Sequence, residues 1–146
     1  MKEICILPRH FFEDTMKQNK VNDNNVIEYK ESCFISINDI GKKSYFSKNN
    51  DNVLRLFFHD ISIEDNDEYN KCITENDIKQ LIEFIVRNKD SNFVIHCEAG
   101  ISRSGAIGLF INDYFNVMNK KEFKKINFNI HPNKYIYNEL VKYYKK

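Results

Sequence analysis

The run His96-Cys97-Glu98-Ala99-Gly100-Ile101-Ser102-Arg103-Ser104-Gly105 sets a cysteine six positions before an arginine, a glycine between them and a serine just after. A thiolate is a strong nucleophile, and a guanidinium forks onto two oxygens at once. A hydroxyl can steady a departing sulfur, and glycine lets backbone N–H groups face a ligand. Together these groups suit chemistry on a phosphate.

Phosphate-monoester hydrolysis needs a nucleophile, support for the equatorial oxygens, a proton for the leaving group and a way to regenerate the enzyme. Cys97 supplies the first by in-line attack, giving a cysteinyl-phosphate. Arg103 grips two phosphoryl oxygens, while N–H groups of Glu98, Ala99, Gly100, Ile101, Ser102 and Arg103 bind the rest. Ser104 donates to the thiolate and eases its departure. His96 precedes the nucleophile on a strand, points away from it, and is expected to brace the loop. Glu98 is expected to contribute its N–H, with its carboxylate idle. The proton donor must come from elsewhere, and Asp60, just past the apolar run Val53 to Phe58, is the first choice. Asp65 and Asp67 are rivals from the same loop.

Each piece alone has a bland explanation. A cysteine after an apolar strand is usually core, an aspartate after one is usually a turn residue, and the C-x5-R spacing alone is weak. The combination with flanking His, Gly and Ser makes chance the minor explanation. Cys5, Cys33 and Cys72 show no CxxC pair and no metal-ligand spacing, so they read as reduced fillers in a cytoplasm, and no metal or cofactor is expected.

Elements must position these groups. Glu3–Leu7, Cys33–Ile37, Val53–Phe58 and Asn92–His96 read as strands, short and rich in Val, Ile or Phe. Ile78, Leu81, Ile82 and Ile85 recur at helical spacing behind a Thr74/Asp77 cap. Ala106 to Val117 reads as a second helix and Pro132 onward as a third, with another over 8–20. Strands alternating with helices predict an α/β fold, a largely parallel sheet of about four to five strands flanked by helices. The strand 53–58 is expected to neighbour the Cys97 strand. Ligands in such sheets bind at the carboxyl ends of strands, where residues 97–103 fall. A strand, a tight turn and a helix N-terminus there make an anion cradle.

The 146 residues fit one domain, 1–146, with 42% hydrophobic and 29% charged residues. No apolar run approaches membrane-spanning length, and the segment Met1 to Pro8 is too short in apolar residues for a secretion signal. Net charge is +1, yet residues 60 to 77 hold seven acids and residues 120 to 146 eight lysines. The basic tail reads as a solvated helix face, so neither nucleic acid nor membrane is expected as a partner. Lysine occurs 18 times and arginine four, which gives Arg103 weight, because arginine is kept where a planar fork matters.

The segment Val94 to Ser104 resembles the signature loop HCxxGxxR[S/T] of the cysteine-based protein tyrosine phosphatase superfamily, closest to small dual-specificity members whose loop reads HCxAGxSRS. Phe57 to Ile61 resembles the family's strand-and-acid segment less specifically. Residues 1–50 and 118–146 match only in element order. The resemblance implies a thiolate at Cys97, a phosphate clamp at Arg103, an assisting hydroxyl at Ser104, a mobile acid at Asp60 and no metal. There is no WPD-type tripeptide and no room for the segments that build a deep phosphotyrosine slot. The loop also lacks the lysines of phosphoinositide-directed relatives. The expected substrate is a phosphorylated protein or a small phosphomonoester. The alternatives are a non-catalytic phosphate-binding module on the same fold, or another C-x5-R enzyme such as a sulfurtransferase or an arsenate reductase.

Overall fold

The computed structural model describes residues 2–146. In chain order the elements are β1 (Ile4–Pro8), α1 (Arg9–Gln18), β2 (Ser32–Asn38), β3 (Val53–Phe57), α2 (Glu75–Arg87), β4 (Asn92–Cys97), α3 (Arg103–Phe115), α4 (Lys120–Ile126) and α5 (Lys134–Tyr144). The strands form one sheet in the order β1-β4-β2-β3, and every adjacent pair is parallel. Parallel neighbours need crossovers, and each connection leaves the sheet to make one.

Residue period two divides the side chains between the two faces. On β2, Cys33, Ile35 and Ile37 join the core beneath α2, α3 and α5, while Phe34 joins the smaller cluster under α1. On β4, Phe93, Ile95 and Cys97 face the larger core, and Val94 packs against the smaller one. His96 follows Val94 and stacks on Phe12 of α1, ring centroids 4.3 Å apart. Cysteine and histidine therefore leave the strand on opposite faces.

The helix α2 carries its cap as expected. Thr74 Oγ1 accepts from Asp77 N–H at 3.1 Å, and Asp77 accepts from Thr74 N–H at 3.0 Å. Its inward face, Ile78, Leu81, Ile82, Phe84 and Ile85, is buried. The expected strand pairing needed correction. β3 does not neighbour β4, because β2 lies between them; β2 is buried along both faces, as a central strand must be, whereas β3 carries Arg55 and forms an edge. The helix α4 escaped notice because its seven residues hold four lysines and bury only Phe123, which leaves no apolar period.

Candidate active site

The loop from Glu98 to Ser102 joins the carboxyl end of β4 to the first turn of α3. Among the described residues, none of its backbone N–H groups donates a hydrogen bond within the chain. Ser102 stands at the cap position of α3, yet its side chain makes no cap bond. Its hydroxyl goes instead to Asp60 Oδ1 at 2.8 Å. The first turn thus keeps its N–H groups and the positive end of its dipole free for an anion.

Gly100 sits at φ +69°, in the left-handed region, with the backbone of β1 against it. A methyl group there would lie 2.5 Å from the Leu7 carbonyl carbon and would also strike Pro8 N. The loop curls that tightly because no side chain intervenes. Its other side is fastened by His131 N–H to Ile101 O and Asn133 N–H to Ser102 O, both at 3.0 Å. Ala99 is exposed at the crest.

Cys97 Sγ lies 3.0 Å from Ser104 Oγ on the first turn of α3. Arg103 is buried, and its Nη1 donates to Asp39 Oδ1 at 2.8 Å and to Phe58 O at 2.7 Å. With Nη1 committed at both hydrogens, Nε and Nη2 remain as the fork for a ligand. Asp60 Oδ1 accepts from Asn133 Nδ2 at 2.8 Å as well as from Ser102. The acid is thereby held against the loop even though its strand is one place further from β4 than expected.

The rivals lie elsewhere. Asp65 accepts from Ser62 Oγ at 3.1 Å within its own turn. Asp67 accepts from the N–H groups of Asn70 and Tyr69, which hold its carboxyl below the usual carboxylate range. Neither has a hydrogen bond to the loop.

Beneath the loop runs a buried polar chain. His96 Nδ1 faces its neighbour's carbonyl, Cys97 O, at 3.2 Å, which requires the hydrogen on Nδ1. Nε2 then accepts from Ser36 Oγ at 2.7 Å, and Ser36 in turn meets Ser44 Oγ and Asn38 Nδ2. Burial pushes the His96 pKa down to about 4, against the smaller upward pull of the Cys97 carbonyl. Arg9, at the start of α1, donates to Asn38 Oδ1 at 2.6 Å and to the Glu98 carboxylate at 2.8 Å. The Glu98 carboxylate is therefore not idle: it ties the loop to α1.

Sequence reasoning passed over Asp39, Asn133, Arg9, Asn38 and Ser36. Asp39 follows an apolar strand just as Asp60 nearly does, and the same rule applied to β2 finds it. Arg9 shares the scarcity that singled out Arg103. Of the remaining cysteines, Cys33 and Cys72 are buried and Cys5 half-buried, all as free thiols. Burial raises the pKa of Cys33 and, with help from Glu3, of Cys5. Among the described residues no three His, Cys, Asp or Glu side chains cluster as metal ligands, and no helix is long and apolar enough to cross a membrane.

No family model matches the chain, and neither does any curated protein. Among solved structures the chain is similar to the human tyrosine phosphatase-like serine/threonine/tyrosine-interacting protein, at 19% identity and a TM-score of 0.48. The likeness covers 84% of this chain and 82% of that one, and it is a likeness of fold.

Proposed function

We propose that the chain is a metal-independent cysteine phosphatase that hydrolyses phosphate monoesters, acting in the cytoplasm on phosphorylated proteins or small phosphoesters. The observation that carries this reading is the loop 98–102, its N–H groups uncommitted, with Cys97 at its base and Arg103 at its exit. An oxyanion seated there meets hydrogen-bond donors from the backbone, the fork of Arg103 opposite Asp39, and the sulfur below.

In the first step the Cys97 thiolate attacks phosphorus and the ester oxygen leaves, taking a proton from Asp60. Asp60 Oδ1 already accepts two hydrogen bonds, so the transferable proton belongs on Oδ2. In the second step Asp60 takes a proton from water, the water oxygen attacks phosphorus, and the P–S bond breaks to return the thiolate and release inorganic phosphate. Ser104 Oγ, 3.0 Å from the sulfur, donates to the departing thiolate. The presence of nucleophile, clamp, hydroxyl and acid together counts against a module that only binds phosphate.

The test is hydrolysis of p-nitrophenyl phosphate with chelator present. Wild type is expected to turn over and Cys97→Ser to be inactive while still binding vanadate. Activity that persists in Cys97→Ser would remove Cys97 as nucleophile.

A further inference from the structure

Three carboxyl groups stand around the loop, an odd company for an anion. Asp60 accepts from Ser102, Asp39 holds the Arg103 guanidinium, and Glu98 belongs to the loop itself. Two guanidiniums face them, Arg103 on Asp39 and Arg9 on Glu98. With Asp60 carrying the proton it must donate, Asp39 and Glu98 balance Arg103 and Arg9. Without Arg9 the balance turns negative, and like charge opposes an incoming oxyanion.

Backbone pairing brings Arg9 to this position. Pro8 ends β1 in register with Cys97, so the next residue falls opposite Glu98. The ladder runs one step further there, with Arg9 N–H donating to Glu98 O at 3.1 Å. The side chains meet as well, Arg9 Nε donating to Glu98 Oε2 at 2.8 Å.

The two partners are held unequally. The Arg9 side chain is 16% exposed and that of Glu98 57%. Arg9 also donates to Asn38 Oδ1 on β2 at 2.6 Å, and at 3.3 Å to both Glu13 Oε2 on α1 and Lys43 O. An exposed ion pair between two loose side chains contributes little, but here the cation is fixed from three other directions. Glu98 stands next to the nucleophile, its Cα about 3.8 Å from that of Cys97. Physiological salt screens charge over about 8 Å, so an anion in the loop feels a carboxylate carried on that residue.

We infer that the Arg9–Glu98 pair sets the affinity of the loop for its anion. Glu98 opposes an incoming oxyanion, and Arg9 is a positioning residue that holds the carboxylate against α1 and offsets its charge. The inference rests on the oxyanion site that the phosphatase reading requires, and it does not depend on turnover.

Tungstate, a tetrahedral dianion, tests it by calorimetric titration of Cys97→Ser at low and high salt. Adding Arg9→Gln should weaken binding about tenfold at low salt and much less at high salt, as for a screened charge. Adding Glu98→Gln to that variant restores the balance and should return the affinity to within about threefold of the starting protein. Glu98→Gln without the Arg9 change, at an exposed side chain, should tighten binding about threefold or more, and this arm stands even where Arg9→Gln does not fold. A loss in Arg9→Gln that Glu98→Gln does not recover, or that is equal at both salts, would make Arg9 a mere brace and overturn the inference. So would an unchanged affinity in Glu98→Gln; wild-type turnover of p-nitrophenyl phosphate would still uphold the phosphatase reading in either case. No tungstate binding with Arg9 and Glu98 both in place would sink the oxyanion site and the inference with it. Salt-screened, recoverable binding beside a wild type that turns over no aryl phosphate upholds the pair and sinks the phosphatase reading alone.

Discussion

At the scale of single residues, the acid is the sharpest test of the chemistry. Asp60→Asn keeps the acceptor for Ser102 and Asn133 but removes the proton, so the loss must depend on the leaving group. Alkyl phosphates should lose about 10²-fold or more in kcat, and p-nitrophenyl phosphate much less, because a nitrophenolate departs with little help. Asp65→Asn and Asp67→Asn, run in parallel, should match wild type on both; a leaving-group-dependent loss in either would reassign the acid. Cys97, Arg103, Ser104 and Gly100 were legible in the sequence because they sit in one short run whose spacing is itself the signal. Asp39 and Asn133 were passed over, since each reaches the site from a distant part of the chain, Asp39 through one hydrogen bond and Asn133 through two. Asn133 was hidden further by having another visible duty, as its Oδ1 caps α5 through Ile136 N–H.

Among the elements, the loop and β1 are locked by the absence of a side chain at Gly100. Gly100→Ala would demand a left-handed alanine with its methyl inside the Leu7–Pro8 backbone. The loop would have to lift off β1, so activity should fall by about 10²-fold or more, as for loss of a preorganised oxyanion donor. Chemical denaturation should register a loss of roughly 2 kcal/mol or more, because backbone cannot give way as a flexible side chain does. Near-normal activity and stability in this variant would show that the loop is held elsewhere. The four strands and the helices α2, α3 and α5 were readable from apolar periodicity, and so was the cap of α2. Strand order was not, because periodicity reports burial and says nothing of neighbours; the unbroken burial of β2 against the half-exposed Arg55 of β3 held the clue to which was central.

For the whole molecule, acid should be destabilising through His96. Its folded pKa is about 4 against an ordinary value of 6.5, so the unfolded chain takes up the proton first as pH falls. The contribution is fully present above about pH 6.5 and is lost progressively down to about pH 4, up to about 3 kcal/mol in all. Urea unfolding of wild type between pH 7 and pH 4 should show that slope, and His96→Gln, less stable at pH 7, should flatten it. An unchanged slope in His96→Gln would assign acid sensitivity to other groups. A different consequence follows from where the contacts lie along the chain. Arg9 meets Glu98 across 89 positions, and Asp60 meets Asn133 across 73. Closing such long loops is entropically slow, and most of the path must be in place before those contacts repay it. On the ribosome, the loop after Cys97 can be synthesised while Asn133 is still inside the exit tunnel, so Asp60 can meet Ser102 but not its second partner. On the phosphatase reading, the Cys97 end of the site is thus made before Asp60 has both of its partners, and the site is complete only once Asn133 and α5 are in place.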